Sequence, residues 1–153
     1  MSNQENPNPL TALSDVMAEA VAKASAFTVM VSARQRMPAS GILYQPEFVL
    51  TANHVIEQED NIAIMLANGN EISAQIAGRD PTSDLAVLRL AQSASPSAEK
   101  AEQEARMGQL VLALGRPSPE GIEASLGVIS AIGGPVPELI ALLCLIFSPG
   151  RGD

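Results

Sequence analysis

Between residues 27 and 90 the chain is cut into short β-rich runs, and turn residues rather than helical segments separate them. The runs are Phe27–Ser32, Gly41–Tyr44, Phe48–Thr51, Asn61–Leu66, Glu71–Ala77 and Asp84–Leu90. Runs of this kind are stable only when they pair, so the pattern predicts an all-β antiparallel sandwich or barrel. Asn68-Gly69 lies between the fourth and fifth runs and predicts a hairpin, since both residues tolerate the positive φ of a type I′ turn. With three Phe, one Tyr and no Trp, the core must be aliphatic, and no aromatic platform for stacking bases or sugars is available.

The flanks differ. Met1 to Pro9 is polar with two prolines and reads as a frayed start. Leu10, Leu13, Met17, Ala20, Val21 and Ala24 recur at helical spacing and predict one short amphipathic helix, capped by Thr11 or Ser14. Ala91 to Arg106 holds no Val, Ile, Leu or aromatic residue; having little to bury, it reads as a mobile linker. Leu110–Leu114 and Glu123–Ile132 are further strand-like runs around the turn-rich Gly115–Gly121. The stretch Glu138–Asp153 contains nine consecutive apolar residues, Leu139–Phe147, with neither alternation nor a polar face. Such a run predicts self-association.

Charge and cysteine usage exclude several classes. The net charge is −8, and two lysines cannot form the clustered positive surface that displaces counterions from nucleic acid. Cys144 is the only cysteine, which excludes a disulfide framework and a cysteine-rich zinc site. The longest apolar run, nine residues, falls short of the roughly 20 needed for a membrane-spanning helix. The first nine residues lack the basic head and apolar stretch of a secretion signal, so the expected compartment is cytoplasmic.

His54 is the only histidine, and it follows the run Phe48–Thr51 directly. A lone histidine is more often structural than catalytic, although its pKa suits proton transfer near neutrality. Asp84 opens a strand-like run and by itself reads as a turn cap. A metal site built from His54 with Glu57, Glu59 or Asp60 is a poor set for zinc, and those acids read better as a solvated face.

Together with their flanks, the two residues say more. Thr51-Ala52-Asn53-His54-Val55, Asn68-Gly69, and Gly78-Arg79-Asp80-Pro81-Thr82-Ser83-Asp84-Leu85-Ala86-Val87-Leu88 resemble the trypsin-like serine proteases, and within them the HtrA branch. That branch runs Thr-Asn-x-His-Val, a hairpin, then Gly-x-Asp-x-x-x-Asp-Leu-Ala-Val. Ala39-Ser40-Gly41-Ile42-Leu43 resembles its Gly-Ser-Gly-Phe strand. Gly108-Gln109-Leu110-Val111-Leu112-Ala113-Leu114-Gly115-Arg116-Pro117 and Ala124-Ser125-Leu126-Gly127-Val128-Ile129-Ser130 resemble its Gly-x-x-Val-x-Ala-x-Gly-x-Pro and Thr-x-Gly-x-Val-Ser strands.

The resemblance covers about residues 26 to 134 and implies two β-barrels with the active site between them. It implies an organisation of 1–25 tail and helix, 26–90 first barrel, 91–107 linker, 108–134 first strands of a second barrel, and 135–153 a divergent tail. It also implies peptide-bond hydrolysis of a polypeptide substrate, with His54 as base, Asp84 as orienting acid, and no metal or organic cofactor. The family's nucleophile lies in Gly-Asn-Ser-Gly-Gly or a close variant, which these 153 residues lack. Ser118, Ser125, Ser130 and Ser148 are poor substitutes; Ser148 precedes a proline, which removes a backbone donor where the oxyanion turn needs one. The expected protein is therefore a truncated endopeptidase, inactive alone. The alternative is a non-catalytic interaction module or pseudo-protease.

Overall fold

A computed structural model describes residues 8–35 and 37–132. Its first element is a helix, α1 (Pro9–Ser25). Six strands follow: β1 (Thr28–Ser32), β2 (Ala39–Gln45), β3 (Phe48–Ala52), β4 (Ile62–Met65), β5 (Glu71–Asp80) and β6 (Leu85–Leu90). They close into an antiparallel barrel in the order β1-β2-β3-β6-β5-β4. Alternation explains the closure. Val29, Val31, Leu43, Val49, Ile62, Ile64 and Leu88 are all buried and belong to one core cluster. A barrel leaves no open sheet edge, so it suits a chain whose short strands cannot hold together singly.

The hairpin at Asn68-Gly69 forms between β4 and β5, but not as a type I′ turn. Only Gly69 has positive φ (84°); its amide donates to the Leu66 carbonyl at 3.0 Å, and the Asn68 carboxamide accepts from the Asn70 amide at 3.0 Å. Asn68 thus stabilises the turn through its side chain without adopting positive φ, and the glycine alone takes the left-handed position.

Helix α1 starts earlier than its apolar spacing predicts. Asn8, rather than Thr11 or Ser14, caps it by accepting from the Leu10 amide at 3.0 Å, and Pro9 occupies the first turn. Its apolar stripe is only half used. Ala20 and Ala24 are buried, whereas Leu10 and Leu13 stay exposed.

A two-stranded sheet, β7 (Leu110–Ser118) and β8 (Gly121–Val128), lies against the barrel. Gly115–Gly121, read from sequence as a turn, is mostly strand, and the reversal is confined to the residues between the paired Ser118 and Gly121. Leu112 and Leu114 join the barrel's core cluster, and β7 contacts both β1 and β2. This is why β1 is buried at four successive positions instead of alternating. Arg116 fixes the dock. Its amide donates to Ser40 Oγ (2.8 Å), its Nε to the Thr28 carbonyl (2.8 Å) and its Nη2 to the Ser25 carbonyl at the end of α1 (3.0 Å).

The segment 91–106 has no regular structure, but it is tied to the barrel. Ala94 and Ala98 pack against the core, and their amides donate to the carbonyls of Pro46 and Leu43, each at 2.7 Å. Alanine is small enough to fit there, a contact that a search for large aliphatic residues overlooks. The run Leu139–Phe147, its predicted self-association, and Ser148 lie outside the described residues.

Candidate active site

After β3 the chain tightens into one 3₁₀ turn, Asn53–Val55, which carries His54. Strand β6 pairs with β3 through Ala52↔Leu85, so Asp84, one residue before β6, arrives beside that turn. Antiparallel pairing thus brings together two residues that are 30 apart in sequence. The Asp80–Ser83 loop shapes the approach: Asp80 accepts from the Thr82 amide (2.9 Å) and the Ser83 hydroxyl (2.6 Å). These bonds hold the Asp80 carboxyl below its ordinary value, the Ser83 hydroxyl contributing most. Asp84 itself takes a left-handed conformation (φ 54°), which aspartate tolerates better than most residues.

Every acceptor of Asp84 is directed at the turn. Oδ2 lies 2.6 Å from His54 Nδ1, Oδ1 accepts from the His54 amide at 2.8 Å, and the Asp84 carbonyl accepts from the Asn53 amide at 2.9 Å. The ring orientation is fixed because one carboxylate holds both the ring and the backbone of the same residue. The His54 side chain is 55% exposed and that of Asp84 24%.

Burial pushes the Asp84 carboxyl upward, but hydrogen bonds from the His54 imidazole and from the His54 and Asn53 amides outweigh it, leaving the group below 3.8. At neutral pH Asp84 is therefore ionised and can only accept. The shared hydrogen belongs to Nδ1, so in the neutral ring Nε2 carries the lone pair. An exposed imidazole with Nε2 free to take a proton is equipped as a general base.

Reading residue types alone misses Asn53 and Arg79. Arg79 Nε donates to Asn53 Oδ1 at 2.6 Å, and Nη2 donates to the Ile56 carbonyl at 3.3 Å. Glu59, weighed as a metal partner of His54, instead faces Arg79 Nη1 at 3.6 Å. Of the serines, Ser118 sits at the β7–β8 reversal and Ser125 within β8; Ser130 lies beyond β8, not inside a strand.

Comparison with known proteins gives this geometry a context. A profile of the trypsin-like peptidase domain matches residues 39–150. The serine endoprotease DegS of Haemophilus influenzae is 38% identical over 96 residues, covering 61% of this chain and 28% of that protein. A probable periplasmic serine endoprotease, DegP-like, of Pseudomonas fluorescens is 33% identical over 105 residues, covering 68% of this chain and 22% of that protein. The crystal structure of the serine endoprotease from Yersinia pestis superposes with a TM-score of 0.68 at 31% identity, covering 76% of this chain and 44% of that one. The chain thus spans about a quarter of the length of these curated relatives.

The cytoplasmic expectation is overturned by these comparisons, since several relatives are named as periplasmic. The polar first stretch was a weak guide, because the barrel and its site, which carry the similarity to those relatives, lie outside it. Among the described residues, no helix is long and apolar enough to cross a membrane. The aliphatic six-stranded barrel, the docked hairpin and the sequence matches agree, and the chain belongs to the trypsin-like peptidase family.

Proposed function

We propose that this chain supplies the acid–base half of a serine endopeptidase of the HtrA type, with His54 as general base and Asp84 as the acid that orients it. The observation that carries the reading is the two-point hold of Asp84 on His54, at 2.6 Å to the ring and 2.8 Å to the amide. Nε2 would take the proton of a serine hydroxyl as its oxygen attacks the scissile carbonyl. The same proton then passes to the leaving amine, and water releases the acyl group by the reverse relay. Asp84 stays ionised throughout and stabilises the imidazolium that forms. The substrate is a polypeptide, and the names of the relatives support a periplasmic site of action. An interaction module would give no reason for a rim imidazole held in one tautomer by a carboxylate.

The test is a chimera in which residues 1–132 are joined to the remainder of the H. influenzae DegS catalytic domain and assayed on a peptide substrate. Hydrolysis is expected. It should fall by about 10⁴ in kcat with Asp84→Asn, the cost of losing the orienting acid in such triads. The 153-residue chain alone should not react with a fluorophosphonate probe, as judged by intact mass. A folded chimera whose hydrolysis survives His54→Ala, or stoichiometric labelling of the chain alone, would overturn the assignment.

A further inference from the structure

We propose that Arg79 is a positioning residue for His54, acting through the side chain of Asn53; this rests on the reading of His54 as the base. The inference begins with strand register. In β5, Ile76 pairs with Leu88 of β6 while Gly78 pairs with Val87, so one extra residue is accommodated between them. Ile76 and the buried Leu88 face one way, and without the irregularity Arg79 would point to the opposite side. The extra residue reverses the alternation and sets Arg79 opposite the buried Ala86. Ala86 in turn pairs with Thr51 of β3, so Arg79, Ala86 and Thr51 form one cross-strand row at the end of the barrel. Because the middle member is an alanine, the guanidinium can span two strands and reach the turn after β3.

There it grips both ends of that turn: Asn53 Oδ1 at 2.6 Å and the Ile56 carbonyl at 3.3 Å, with His54 between them. A planar fork presents its donors to the two acceptors in a fixed geometry, whereas the donors of an ammonium sit on a single nitrogen at the end of a flexible stem. Asp84 holds the same turn from the other side through the Asn53 and His54 amides. The turn that presents the base is therefore fixed from two directions, by an anion on β6's side and a cation on β5's side. Glu59, 81% exposed and 3.6 Å from Arg79, is a solvent-screened contact and plays no part in the hold.

The chain contains a single histidine, so one imidazole proton signal reports the geometry without ambiguity. The experiment is proton NMR of the full 153-residue chain, following the far-downfield resonance of His54 Nδ1–H. The unsubstituted chain should show it, and Asp84→Asn should abolish it. Arg79→Met should broaden it to loss through faster exchange with water, Arg79→Lys should restore it in part, and Glu59→Ala should leave it unchanged. Asn53→Ala should match Arg79→Met, with no further effect when the two are combined, and it decides the matter if Arg79→Met fails to fold. A general loss of stability would lower Tm while sparing the signal of the folded molecules. A full-intensity, slowly exchanging signal in folded Arg79→Met or Asn53→Ala, with Asp84→Asn silent, would overturn the role of Arg79 and leave the His54–Asp84 reading intact. Absence of the signal from the unsubstituted chain would instead sink that reading.

Discussion

Replacing Arg116 by methionine should destabilise the protein by about 1–3 kcal/mol, and the sign is the informative part. Two effects compete. Arg116 is buried, with 6% of the residue exposed, and burial alone pushes its guanidinium pKa down, so substitution recovers a desolvation cost. Exchanging a buried charge for a well-packed apolar group is often neutral or favourable for that reason. Against this stand two charge-assisted bonds, to the carbonyls of Thr28 (2.8 Å) and Ser25 (3.0 Å), worth about 1.5–3 kcal/mol each. The deciding term is what the substitution leaves behind. Ser25 is only half buried, so water can replace the donor there. Thr28 has no exposure at all, and its carbonyl loses a donor that water cannot replace, at about 1–3 kcal/mol. Methionine keeps most of the aliphatic stem; Arg116→Ala adds a cavity and should cost about 1 kcal/mol more. Urea unfolding followed by far-UV circular dichroism measures both, and each kcal/mol should lower Tm by roughly 4 °C at this size. A methionine variant as stable as the unsubstituted chain would refute the reasoning, because the Thr28 carbonyl would then have found another partner without cost.

Two further outcomes follow from the same geometry. Gly41→Ala should destabilise the barrel by about 1–3 kcal/mol, because a Cβ there would lie 2.8 Å from Val49 Cγ1 and 2.9 Å from Val31 Cγ2. Both valines are fully buried, so the entropic gain usual for Gly→Ala cannot win; a raised urea midpoint would show that the β2–β3 pair spreads freely. Asp84→Asn should destabilise the protein at neutral pH and progressively less in acid. The folded carboxyl is held below 3.8, so its stabilisation is complete above the unfolded pKa and vanishes as pH falls through the folded one. Urea midpoints of the two proteins should converge between about pH 5 and pH 2; a constant gap across that range would show that the carboxylate's charge is not what matters.

What was legible in the sequence, and what was not, divides along one physical line. Strand existence follows from alternation that each run carries in itself, which is why the six barrel strands were visible as separate runs. The juxtaposition of His54 and Asp84 was reachable through the motifs flanking them, because a strand end fixes where the next residue goes. Features set by a partner element stayed hidden. Gly115–Ser118 contains glycine and proline and looks like a turn, yet it is strand because β8 pairs with it and Ser40, Thr28 and Ser25 receive Arg116. Ala94 and Ala98 look inert until the β2–β3 corner offers them carbonyls. Arg79 is the sharpest case. Its residue type and position in β5 put it on the solvent side, and a single extra residue, detectable only against the register of β6, turns it toward the base. The His54–Asp84 pair therefore shows which chemistry the fold is built to support, while the barrel's departure from ideal register determines how firmly the imidazole is held for it.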